Sequence, residues 1–114
     1  MPRVLGLHLI ALEPGVTGEQ LERFWREELT PGPPIPGVKS HLLKCVRGDR
    51  DGRYAVLIEI ESVEAYNHHF PTSRTWSDEV EQFWAARAAA RAKWDTLASS
   101  FPDPLVNDYL IVGE

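Results

Sequence analysis

Apolar residues recur along the chain with two different spacings, and each change of spacing marks the border of an element. Val4 to Leu12 reads Val-Leu-Gly-Leu-His-Leu-Ile-Ala-Leu, apolar at almost every position, which predicts a strand covered on both faces. Leu5, Leu7 and Leu9 make one face uniformly leucine, and this is the face expected to meet helices. Glu13-Pro14-Gly15 stops the strand. Thr17-Gly-Glu-Gln20 then has the spacing of a capping box, which satisfies two orphan N–H groups reciprocally and starts a helix. Leu21, Phe24, Trp25 and Leu29 fall at helical spacing, with Glu19, Glu22, Arg23 and Arg26 turned to water, until Pro31 ends the helix. Thr30 to Gly37 holds four of the nine prolines. It sustains neither a helix nor a ladder, and reads as a stiff connector suited to walling a pocket.

Period two returns in Val38 to Arg47 and Arg53 to Glu61, which flank the turn-rich Gly48-Asp-Arg-Asp-Gly52 and predict an antiparallel hairpin. Tyr54, Val56, Ile58 and Ile60 form a core face. Ser62 caps a helix through about Phe70, and after a break at Pro71 a second helical piece starts near Ser73 or Ser77 and runs to about Ala98. Trp76, Val80, Phe83, Trp84, Trp94 and Leu97 mark its buried side. Phe101-Pro-Asp-Pro104 interrupts, and Leu105 to Val112 is the last strand.

The order strand, helix, strand, strand, helix, strand, with right-handed crossovers, puts the first and third strands at the centre of an antiparallel sheet with both helices on one face. This is an α+β fold of ferredoxin-like plan. Its other face is expected to carry Ala55, Leu57, Ile10, Leu12 and Leu43, and a second copy of the same sheet is the economical cover. A homodimer is therefore predicted.

The chain has 114 residues, suited to a single domain with one core. Apolar residues make up 43% and charged residues 25%, an ordinary globular balance. A net charge of -5 with no basic stripe disfavours nucleic acid as a partner. Val4 to Leu12 is too short and too interrupted for a signal peptide or a membrane span. Cys45 stands alone, which excludes an intrachain disulfide and makes a reducing cytoplasm the default setting.

Several segments resemble the dimeric α/β-barrel superfamily. His8-Leu-Ile-Ala-Leu, Glu-Pro-Gly-Val-Thr and Gln20-Leu-Glu-Arg-Phe24 are similar to the opening of its stress-responsive members, and Ile60-Glu-Ser-Val-Glu-Ala-Tyr66 is similar to their third-strand to second-helix junction. Phe24-Trp-Arg-Glu-Glu-Leu-Thr-Pro31 with Pro36-Gly-Val38 is similar to the EthD-like branch. The resemblance implies a homodimeric barrel with a cavity between sheet and helices in each subunit. In some members that cavity serves cofactor-free chemistry of cyclase or monooxygenase type on aromatic or polyketide-like molecules; others have no known reaction. A strand-one His and a later Tyr and His act in the cyclising members, and His8 matches the first. The expected downstream His-Pro step reads Phe70-Pro71 here, with Tyr66, His68 and His69 near it but out of register.

His8 is accordingly the first candidate general base, its ordinary pKa suiting neutral chemistry, the other reading being a hydrogen-bonded core imidazole. A five-residue tip would place Glu59 opposite His41 and bring both onto the face of His8, giving an imidazole, carboxylate, imidazole group. His8, His41, Glu59 and His69 are thus the candidate catalytic residues, and Tyr66, Phe70, Trp76, Leu43 and Leu57 the candidate ligand contacts. The histidine spacing does not support a metal site, and no phosphate loop or nucleophile elbow points to a cofactor or covalent catalysis. Two functions remain open: a cofactor-independent acid/base enzyme for a small aromatic or carbonyl compound, and a non-catalytic dimer that binds a small hydrophobic ligand.

Overall fold

The computed structural model describes residues 2–72, 75–100 and 106–113. Strand β1 (Val4–Leu12) lies antiparallel to β3 (Tyr54–Ile60), Val4 opposite Ile60 and Ile10 opposite Tyr54. β2 (Val38–Lys44) takes the free edge of β3. On the other edge of β1 pair β4 (Ala98–Ser100) and β5 (Val106–Leu110), the first along Ile10 to Leu12 and the second along Val4 to His8. The five-stranded sheet is antiparallel throughout, with β3 and β1 central as the pattern predicts. The α+β class holds, and the arrangement is compatible with a ferredoxin-like plan. The predicted interruption at Phe101 to Pro104, the start of the last strand at Leu105 and the alternative helix start at Ser73 lie outside the described residues.

Helix α1 (Gly18–Phe24) begins at the expected capping box: the Gln20 N–H donates to Thr17 Oγ1 (3.2 Å) and the Thr17 N–H to Gln20 Oε1 (2.8 Å). It runs into a π-helical turn, Trp25–Leu29, closed by the Thr30 N–H donating to the Trp25 carbonyl (3.0 Å). Ser62 caps α2 (Val63–His69) and Ser77 caps α3 (Asp78–Ala85), each hydroxyl accepting from the backbone N–H three residues on. The long second helix expected to reach Ala98 is divided instead. Arg87 leaves helical geometry (φ -121°, ψ 31°) and separates α3 from α4 (Ala88–Leu97). No helix among the described residues is long and apolar enough to cross a membrane.

Tyr54, Val56, Ile58 and Ile60 meet the helices as predicted, packing with Leu21, Trp25, Val80, Phe83 and Trp84. The face of β1 is the reverse of expectation. Residues directly opposite on antiparallel strands share a face, so Val4, Gly6, His8 and Ile10 lie with Ile60, Ile58, Val56 and Tyr54 on the helix side. Leu5, Leu7 and Leu9 lie with Glu59, Leu57 and Ala55 on the bare side, and Ile10 and Leu12 belong to the core rather than to that side. A strand apolar on both faces offers no period-two contrast, so hydrophobicity alone could not choose between them.

The hairpin register also differs. The Cys45 N–H donates to the Arg53 carbonyl (2.8 Å) and the Gly52 N–H to the Cys45 carbonyl (2.8 Å), leaving a seven-residue tip, Val46 to Gly52, in place of five. His41 therefore stands opposite Leu57, and Glu59 opposite Lys39. A shift of two preserves every face while changing every partner.

Candidate functional site

Between the helix-side face of the sheet and the helices lies a cavity of about 710 Å³. Its floor is His8 and Ile10 of β1, Val56 and Ile58 of β3 and Ser40 of β2, with Lys39 and His41 beside it. The π-helical turn supplies Trp25 and Leu29, the proline-rich connector Thr30, Pro34 and Ile35. Trp76, Phe83, Trp84, Arg87, Arg91, Trp94 and Asp95 close the helical side. All four tryptophans of the chain line this one space. Their helical spacing alone favoured an ordinary core.

His8 is half-buried on the floor and has no hydrogen bond to any described residue. Burial holds its pKa below the ordinary histidine value, and the negative charge of Asp108 pulls partly back. The carboxylate reaches this place because β5 pairs Asp108 with Gly6. A Cβ on residue 6 would lie 2.8 Å from Asp108 Oδ1 and 3.6 Å from His8 Nε2, so glycine leaves the gap that the carboxylate fills. The Tyr66 hydroxyl donates to Asp108 Oδ2 (2.7 Å), and that bond, with burial, raises the phenol's pKa and keeps it a donor. Sequence reading missed Asp108, because it becomes a neighbour of His8 only through pairing of the first and last strands.

The other candidates separate from His8. His41 and Glu59 share the bare face, turned away from it, so the imidazole, carboxylate, imidazole group does not form. Glu59 pairs with Arg3 instead (3.4 Å). Leu43 and Leu57 also lie on the bare face and do not line the cavity, whereas Trp76 does. Tyr66 and Phe70 pack on the core under α2. His69 is buried with both ring nitrogens engaged: Nε2–H donates to the Pro36 carbonyl (2.9 Å), and Nδ1 bonds Ser77 Oγ (2.7 Å). It ties the connector to the cap of α3. His68, His69 and Glu79 bring one ligand atom each to within 4.8 Å of one another. A cation there would have to break the His68–Glu79 bond (2.9 Å) and at least one bond of His69, so this trio reads as a structural clasp.

Arg87 is 5% exposed. Nε donates to the Leu29 carbonyl (2.8 Å) and Nη1 to the Phe83 carbonyl (3.2 Å), with the guanidinium 3.8 Å over the Phe83 ring. Those bonds draw the side chain across the break between α3 and α4. No family model matches the chain, and no curated protein matches it.

Proposed function

We propose that the protein is a homodimer in which each subunit takes a small aromatic or conjugated carbonyl compound into its cavity, with His8 as general base. The free imidazole on the floor of a tryptophan-lined cavity carries this reading. A buried imidazole ordinarily finds a partner, as His69 does, and one left without a partner at a cavity wall is available to a ligand. Its lowered pKa keeps His8 neutral at pH 7 and able to accept a proton. Asp108 then stabilises the imidazolium, and Tyr66 holds Asp108 in place. Removal of a proton beside a carbonyl suits this set. It is the step that aldol-type cyclisation and cofactor-free oxygenation of such compounds both begin with, in line with the resemblance to dimeric α/β-barrel proteins.

The dimer is supported by the sheet face turned away from the described helices, where Leu5, Leu7, Leu9, Leu43 and Leu57 lie together. A second copy of the same face would bury them and complete a barrel. A cytoplasmic setting belongs to the same reading, since Cys45 is a free thiol.

Ethyl benzoylacetate in D2O tests the chemistry. The protein should speed loss of the α-proton signal above the buffer rate, and His8→Gln should abolish the gain while keeping saturable binding. Equal exchange by His8→Gln would overturn the base; binding without exchange by the native protein would leave the non-catalytic binder.

A further inference from the structure

Arg87 is a buried cation with two of its three nitrogens on main-chain carbonyls, at the end of the π-helical turn and in α3. Carbonyl dipoles satisfy its donors without neutralising its charge. Among the described residues no carboxylate lies within ion-pair distance of it. A buried guanidinium without an anion is costly, and burial accordingly weakens its hold on the proton. Nη2, the nitrogen left over, lies near Gly32, where a Cβ would come within 3.1 Å of it. Gly32 has φ +112°, a conformation that favours glycine, so the connector passes this nitrogen with no side chain over it.

The surroundings share the sign. The charged side chains of the cavity's helical wall are two basic, Arg87 and Arg91, and one acidic, Asp95, in a chain of net charge -5. Arg91 is itself engaged by the aromatic wall, its guanidinium 4.8 Å from the Trp84 ring and 5.4 Å from Trp76. A locally positive, aromatic-walled space within an acidic protein is complementary to an aromatic anion.

We propose that the ligand carries a carboxylate and that Arg87 is its anchor. The ring of the ligand would lie among the tryptophans, and the carboxylate would take Nη2 and supply the counter-ion that the fold withholds. The inference rests on the cavity being the ligand site but not on His8 acting as a base.

The test uses 2-naphthoate and its neutral counterpart 2-naphthamide, each titrated against the native protein by tryptophan fluorescence, since every tryptophan lines the cavity. The native protein should bind naphthoate at least about ten-fold more tightly than naphthamide, as expected for a charge-assisted hydrogen bond. Arg87→Gln should remove that preference, bringing the affinities of the two probes within about two-fold of each other. Equal affinity of the two probes for the native protein would overturn the proposal and leave the cavity as a ligand site. A folded Arg87→Gln protein that keeps the preference would overturn the assignment to Arg87. Failure of both probes to bind would overturn the cavity reading itself. If Arg87→Gln does not fold, the native comparison of the two probes decides.

Discussion

An imidazole with both nitrogens occupied, as at His69, is held in one place and has nothing to offer a ligand; His8 bonds none of the described residues and has a carboxylate close by. Gly6 makes that neighbourhood. Its replacement by alanine would put a methyl group 2.8 Å from Asp108 Oδ1, closer than a real contact, so the carboxylate has to move away. Because Asp108 raises the pKa of His8 against the effect of burial, Gly6→Ala should lower it further, read from the histidine ring signals by NMR. An upward shift would mean that Asp108 is not the group acting on His8. Tyr54 gives a second prediction at this scale. Its hydroxyl donates to the Glu22 carboxylate, and burial together with that bond pushes the phenol up to about 12. A phenol with a raised folded-state pKa contributes stability that is full below about pH 10 and is lost as pH rises through about 12. Tyr54→Phe should therefore cost about 1 kcal/mol at neutral pH. The spectrophotometric titration should lose its component near 12 in the same variant.

Capping residues wrote the starts of α1, α2 and α3 into the chain, and Thr17→Ala should cost about 1 kcal/mol of folding free energy by denaturant titration. An unchanged midpoint would show that the reciprocal bonds of Thr17 and Gln20 contribute nothing. These caps were legible because each depends on residues within three positions of one another. The hairpin strands were legible too, but their register was not: the tip closes at Cys45 and Arg53, and nothing local distinguishes a five-residue from a seven-residue tip. The break in the second helix was hidden for a different reason. Ala85 to Ala92 is a good helical sequence, and the break falls at Arg87, whose side chain reaches the Leu29 carbonyl, 58 residues away. The proline-rich connector was recognisable as a wall because proline excludes both ladders, and Thr30, Pro34 and Ile35 do line the cavity. Asp108 belongs with the illegible set, since only the pairing of β1 with β5 brings it to Gly6.

At the scale of the whole molecule, one face of the sheet is covered by helices and encloses a cavity, and the other carries a row of leucines. The reversed face of β1 moves Leu5, Leu7 and Leu9 onto the uncovered side, which makes the case for a second copy stronger than the sequence pattern did. Leu7→Lys should convert the proposed dimer to a monomer by sedimentation velocity at micromolar concentration, with the fold retained by circular dichroism. A native protein that sediments as a monomer would remove the dimer from the account. The proposed function depends on His8 being open to a ligand in the cavity. Histidine-selective NMR tests it most directly, with the ring signals followed against pH in the presence and absence of 2-naphthamide. His8 should titrate below 6.5, and its signals should move as the probe saturates the protein. A His8 that titrates at or above that value, with signals untouched by the probe, would contradict the proposed function.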